Sequence, residues 1–333
     1  MTTRAIVTGG AGFIGSHLTD RLLADGCHVT VLDDLSTGKM SNLALASQHE
    51  RCTFVNADVS DLDAVRPHFE GADWVFHLAS LADIVPSIVE PHTYHRANVD
   101  GTVAVLEAAR EAGVKRFVYT ASSSCYGIPD AYPTSETADI RPEYPYAFTK
   151  WVGERYMLFW HQIYGLPVVS LRLFNVFGVR SRTSGAYGAV LGVFLAQKLA
   201  GRPLTVVGDG TQKRDFIHVS DVVDAFVKAA QSDVAGEVFN VGAGDPQTVN
   251  HLADLIGGER EGIPKRPAEP DCTWADITRI ENALGWRPRM TFEDGIRDVL
   301  EHIHYWDDAP VWTPETIADA TKEWFAHLSG GRA

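Results

Sequence analysis

The chain has few cysteines, no long apolar run and no surplus of basic residues. Four cysteines in 333 residues, at positions 27, 52, 125 and 272, make neither C-x-x-C pairs nor a His-interleaved zinc spacing. That pattern argues against a disulfide framework and against a metal site, and for reduced thiols in a cytoplasmic protein. No window approaches the roughly 18 to 20 apolar residues of a membrane span, so a soluble protein with no membrane partner is expected. Met1-Thr2-Thr3-Arg4 runs straight into Ala5-Ile6-Val7 without the charged region, apolar stretch and cleavage site of a secretory leader, and export is not expected. Lys and Arg number 29 against 43 Asp and Glu, a net charge of −14. This excludes a generic nucleic-acid surface, which needs clustered cations. Small anions stay open, since a helix N-terminus and one or two arginines hold a phosphate inside an acidic protein. The absence of a fixed-period repeat or low-complexity stretch removes solenoids and disordered tails.

What is present is room and alternation. The length allows one large α/β domain plus a smaller lobe, with 45% hydrophobic and 22% charged residues, close to globular averages. Strand-like β-branched runs at 4–8, 28–32, 52–56, 73–78, 115–121 and 167–173 alternate with helical stretches, which predicts a doubly wound parallel sheet. Beyond about 180 the pattern loosens into short helices, 187–200, 219–231 and 292–304. We therefore expect a doubly wound domain of the Rossmann kind over 1–180 and a smaller lobe over 181–333, with part of 204–242 returning to the main sheet.

The first strand, Ala5-Ile6-Val7-Thr8, leads into Gly9-Gly10-Ala11-Gly12-Phe13-Ile14-Gly15, after which Ser16-His17-Leu18 opens a helix. Gly9 suits the tight turn, Gly12 the approach of a pyrophosphate, and Gly15 close helix–strand packing, while the helix N-terminus offers amides and a positive dipole. The second strand, Val29–Leu32, ends in Asp33, where a carboxylate accepts hydrogen bonds from an adenosine ribose. An acid there repels a 2′-phosphate and no arginine adjoins it, which favours NAD over NADP; Lys39 speaks the other way. Asp58 follows the third strand, either to meet the adenine or to cap the next helix.

Tyr146 and Lys150 lie one helical turn apart on one face. An ammonium beside a tyrosine favours the phenolate, so Tyr146 reads as a general base or acid tuned by Lys150. Ser122, in Ser122-Ser123-Ser124-Cys125-Tyr126-Gly127, falls at the end of the fifth strand, where open α/β sheets put their ligands. The plain alternatives are a solvated surface pair and a serine-rich turn.

These residues, with Asp33-Asp34-Leu35, His77-Leu78-Ala79, Ala97-Asn98-Val99-Asp100-Gly101-Thr102, Arg172-Leu173-Phe174-Asn175-Val176-Phe177-Gly178, Arg214-Asp215-Phe216-Ile217-His218-Val219 and Leu284-Gly285-Trp286-Arg287-Pro288, resemble the extended short-chain dehydrogenases of the NAD-dependent epimerase/dehydratase family. Over about 4–303 the chain is most similar to the UDP-galactose and UDP-N-acetylglucosamine 4-epimerases. The resemblance implies a Ser122–Tyr146–Lys150 triad. It extends the cofactor set to Phe13, Ile14, Asp34, Asp58, Val59, Leu78, Ala79 and Asn98, and it implies sugar-nucleotide contacts at Ser87, Ser123, Ser124, Asn175, Val190, Val206, Arg214, Arg266 and Thr273.

Asn175 and Arg214 would lie near the diphosphate, with Arg266 a second phosphate arginine and Val206-Val207-Gly208-Asp209-Gly210 under the base. Thr273, small where strict UDP-glucose/galactose enzymes carry tyrosine, implies room at the sugar C2. The chain departs from the family at Pro267-Ala268-Glu269, usually Pro-Gly-Asp, at Val179, usually proline, and in the loop Ser181–Gly185.

The implied reaction is oxidation at C4 by tightly held NAD, turning of a 4-keto sugar, and reduction on its other face. A 4,6-dehydratase of this family would carry Asp-Glu where this chain has Ser123-Ser124. A 4-keto reductase, a uronate or C2 epimerase, and a non-catalytic NAD-binding sensor are the other readings. Helices at 91–112 and 146–164 match the family's dimer contact. The aromatic tail, 303–325, receives no role.

Overall fold

The computed structural model describes residues 2–182 and 189–329. Seven parallel strands form one sheet. β1 (Arg4–Thr8), β2 (His28–Asp33), β3 (Cys52–Asn56), β4 (Trp74–His77), β5 (Arg116–Ser122), β6 (Val168–Leu173) and the later strand Glu237–Val241 lie in the order (237–241)-β6-β5-β4-β1-β2-β3. The register pairs Ile6 with Thr30 and with Val75, and Thr120 with Leu171.

Helices cover both faces of the sheet, so its central strands bury both sets of side chains, and β6 is buried at all six positions, Ser170 and Arg172 included. Successive side chains point opposite ways. Val7 therefore packs in one layer with Leu18, Val31, Phe76 and Phe226, and Ile6 in the other with Val75, Val105 and Phe117. Each fully buried Val, Leu or Phe contributes about 1.5–3 kcal/mol.

A third cluster, including Phe194, Leu204, Phe216, Leu252, Ile296 and Trp306, is the core of the C-terminal lobe. Its short strands pair among themselves: Leu204–Val207 with Arg260–Ile263, and Lys213–Arg214 with Gln247–Thr248. Within 204–242, the strand that joins the main sheet is Glu237–Val241. Helix Val219–Gln231 packs against helix Phe13–Ala24 on one face of that sheet.

The helical stretches differ in detail from those read in the sequence. The segment 91–112 is a short α turn, Pro91–His95, a π turn, Arg96–Asp100, and the helix Gly101–Ala112. The stretch 292–304 is a helix, Phe292–Glu301, followed by a separate 3-10 turn, Ile303–Trp306. The expected helix 187–200 is observed as Val190–Leu199; residues 187 and 188, with 183–185 of the divergent loop, lie outside the described residues. No helix among the described residues is long and apolar enough to cross a membrane.

A buried ion pair joins β6 to helix Pro145–Tyr164. Arg172 meets Glu154 through two nitrogens at 2.6 and 3.0 Å, and Glu154 also accepts from the Ser170 hydroxyl. Arg172 further donates to the Tyr126 hydroxyl, which donates to Asn240. This network holds the end of β5 against the helix that carries Tyr146 and Lys150.

Candidate active site

The carboxyl ends of β1, β2, β4 and β5 open onto one cleft of about 410 Å³. Gly9, with φ of 69°, turns the chain out of β1; a Cβ there would stand 2.6 Å from the Ala79 nitrogen. At Gly15 a Cβ would collide with the Gly9 carbonyl oxygen, so helix and strand approach as closely as backbone allows. Helix Phe13–Ala24 begins at Gly12, and among the described residues no side chain caps it. Its first amides are thus open to an anion.

Asp33, 6% exposed, accepts from the amides of Ala11 and Leu35, both at 2.9 Å. Burial pushes its carboxyl up, and the two amides oppose that shift. Asp34, Asp58, Val59, Leu78 and Ala79 line the same cleft. Asp58 caps no helix; it accepts from the Ser60 amide and hydroxyl and pairs with Arg96, while Asp61 caps the short helix that follows.

Ser122, Tyr146 and Lys150 line the inner end of this cleft. Ser122 closes β5, and its Oγ accepts from the Ser124 amide at 3.2 Å. Burial pushes the Tyr146 phenol up, and a hydrogen bond with Ser122 draws it partly back. Lys150, 3% exposed, is pulled down to about 7 by burial, against the opposing charge of Glu154. The sequence led us to expect the ammonium to draw Tyr146 down; burial is the larger influence, and it favours the neutral phenol.

The other expected residues divide. Asn98 does not line the cleft. It is 1% exposed and clasps Leu81, accepting from its amide at 2.8 Å and donating to its carbonyl at 3.0 Å, while also donating to Thr149. The π turn brings its amide to the loop after β4, so it holds the cleft wall. Ser87 is fully buried and donates to the Ile84 carbonyl at 2.6 Å, which is the ordinary i−3 bond of a helical serine. Val190 opens helix Val190–Leu199 against the lobe core, and Val206 lies within that core. The neighbours of Val206, Val207 to Asp209, line a second cavity of about 510 Å³ together with Arg214 and Glu269.

Arg214 donates to Glu269 at 2.7 Å, and Arg266 stands 3.8 Å from the same carboxylate. Asn175 accepts from the Thr273 hydroxyl at 2.7 Å, and that hydroxyl accepts from the Asp215 amide at 3.0 Å. Ser124 hydrogen-bonds Tyr144, whose ring lies parallel to that of Tyr146. Val179, where a proline was usual, offers its carbonyl to His17 at 2.8 Å.

Two participants were given no role from sequence. Tyr305 lines the cofactor cleft and donates to Asn42 at 2.9 Å, and Trp324 covers Arg266. Both belong to the aromatic tail, and only the number of aromatics there marked it.

A glycine-turned parallel sheet with serine, tyrosine and lysine grouped at its carboxyl edge defines a Rossmann-fold enzyme of the short-chain dehydrogenase type. The chain belongs to the NAD dependent epimerase/dehydratase family, whose profile matches residues 5–242. The cradle fits NAD: backbone crowds where Gly9 and Gly15 leave room, and Asp33 offers an acceptor.

Similar proteins include a UDP-glucose 4-epimerase of Mycolicibacterium smegmatis, 41% identical over 90% of this chain and 97% of its own length. Among solved structures, a UDP-N-acetylglucosamine 4-epimerase from Methanobrevibacter ruminantium, in complex with UDP-N-acetylmuramic acid, superposes with a TM-score of 0.86 at 35% identity. It covers 92% of this chain and 98% of its own. A UDP-glucuronic acid 4-epimerase from Bacillus cereus, in complex with UDP-glucuronic acid and NAD, gives 0.85 at 29% identity, covering 91% and 99%.

Proposed function

We propose that this chain is a nucleotide-sugar 4-epimerase acting on a UDP-hexose or UDP-N-acetylhexosamine. The observation that carries the reading is Ser122, Tyr146 and Lys150 facing the dinucleotide cleft in a chain 41% identical to a UDP-glucose 4-epimerase. Tyr146 takes the proton of the sugar C4 hydroxyl and returns it, Ser122 steadies that proton through its hydrogen bond, and Lys150 holds the nicotinamide ribose. NAD, when bound, supplies the reversible oxidation at C4. Dehydration needs an acid and a base beside the hydroxyl residue, and Ser123 and Ser124 offer neither.

Residues 1–180 with Glu237–Val241 hold the cofactor in this reading, and most of 181–333 holds the sugar nucleotide. Arg214 and Arg266 receive the diphosphate, Asn175 lies beside it, and Thr273 leaves room at C2. Four unpaired cysteines support a cytoplasmic setting. The exposed stripe Phe148, Tyr156, Phe159 and Ile163 on helix Pro145–Tyr164 supports a homodimer, since contiguous apolar faces mark interfaces.

The test is incubation of the purified protein, without added cofactor, with UDP-, dTDP-, GDP- and CDP-sugars and product analysis by NMR. Inversion at C4 without change of mass is expected; loss of water, or no turnover across the panel, overturns the reading.

A further inference from the structure

The short C-terminal helix Lys322–Leu328 lies beyond the stretch that matches the family profile, which ends at residue 242. Trp324 on this helix is 5% exposed. Its indole N–H donates to the Pro267 carbonyl at 2.8 Å, and its ring receives the Arg266 guanidinium 5.4 Å from the centroid. The indole also meets Tyr144, centroid to centroid 6.4 Å, on the wall that carries Ser124 and Tyr146. Helix Lys322–Leu328 also packs against helix Ile84–Val89. The tail thus reaches across to the loop that carries Arg266 and, beside it, Lys265 and Glu269, which line the second cavity.

That loop needs support. Ala268 has φ of 55°, a left-handed backbone that a Cβ disfavours, and it stands where the family usually has glycine. The guanidinium of Arg266 is 3.8 Å from Glu269, about 1 Å beyond a charge-assisted hydrogen bond, and Glu269 Oε2 has no hydrogen-bond partner among the described residues. The indole face and the Pro267 bond brace Arg266 and the turn that follows it, with Glu269 within reach of both this guanidinium and that of Arg214.

We propose that Trp324 is a positioning residue for substrate: it holds Arg266 and the Pro267–Ala268 turn in the arrangement that receives the diphosphate of the nucleotide. The proposal rests on the nucleotide-sugar reading above and adds to it a role for the tail.

The experiment uses the full chain, Trp324→Ala and Trp324→Phe, with calorimetric binding of UDP, kcat and KM for the sugar nucleotide turned over, and NAD content after purification. Trp324→Ala removes both a cation–π contact and a hydrogen bond, so UDP affinity should fall about tenfold and KM should rise in step. kcat should stay within about twofold and NAD content should be unchanged, because the altered contact acts on bound nucleotide and not on the reacting carbon. Trp324→Phe keeps a ring under the guanidinium and should lose about threefold. UDP affinity equal to wild type in Trp324→Ala overturns the proposal. Parallel loss of UDP affinity, NAD and kcat in both variants also overturns it, since that pattern marks a general structural role. If the wild-type protein binds neither UDP nor any other nucleoside diphosphate, the function reading itself has failed and the inference falls with it.

Discussion

Lys150 carries its ammonium 4.7 Å from the centre of the Tyr119 ring, and its own backbone carbonyl accepts from the Tyr119 hydroxyl at 3.1 Å. The tyrosine therefore fixes this turn of the helix and offers the cation an aromatic face in place of water. Desolvation dominates, however, and Lys150 titrates at about 7. A lysine lowered in this way is charged below that value and neutral above it. If the cation is what holds the ribose, kcat/KM should fall as pH rises through about 7, since that parameter reports ionisations of the free enzyme. The falling limb should vanish in the residual activity of Lys150→Met. A pH–rate profile flat between pH 6 and 8 in the wild type would contradict the assignment.

Tyr146 and Ser122 should separate by size of effect. Removing the phenolic proton donor in Tyr146→Phe should lower kcat by about 10²- to 10⁴-fold, the usual worth of a positioned acid or base. Ser122→Ala removes one hydrogen bond to that phenol and should lose about ten- to a hundredfold. NAD content should persist in both, because the cofactor cradle of Gly9, Gly15 and Asp33 is untouched. Full activity of Tyr146→Phe by product NMR would mean that another group moves the proton.

Much of the site's cofactor half was legible because its signals are local. Parallel strands covered by helices run rich in β-branched and aromatic residues, so β1 to β6 declare themselves within a residue or two. The glycines after β1 and the acid ending β2 sit at fixed offsets from it. The rest depends on long-range geometry that no local pattern carries. Asn98 looked like a ligand from its motif, but a π turn aims it at Leu81. Ser87 looked like a contact from its place in the chain, but its hydroxyl is taken by Ile84. Trp324 meets Arg266 across 57 intervening positions, a juxtaposition fixed only when the C-terminal lobe folds over the loop.

The Glu154–Arg172 pair sets a stability test. Both side chains are nearly inaccessible, at 1% and 6%, so neither charge is screened by solvent. Glu154→Gln leaves Arg172 as a buried cation with only neutral partners, which should destabilise the fold by about 3–5 kcal/mol, read as the shift in a denaturant unfolding curve. The same carboxylate raises Lys150, so the variant should also move the Lys150 titration to lower pH. A loss under about 1 kcal/mol would mean that Tyr126 and the Glu136 carbonyl, which also accept from Arg172, suffice without it.

Phe148, Tyr156, Phe159 and Ile163 are each exposed by between 38% and 52%, and their spacing puts them along one side of helix Pro145–Tyr164. A face of this kind is poorly suited to water, and two copies related by a two-fold axis would cover it with itself. A charge placed at its centre, Phe159→Glu, should therefore turn a dimer into a monomer in light scattering at micromolar concentration. Because the stripe lies on the side of the helix away from Ala147 and Lys150, which are buried, the monomer should keep its NAD. Wild-type protein that is already monomeric at that concentration would remove the homodimer from the account. A Phe159→Glu protein that stays dimeric would move the interface to another face.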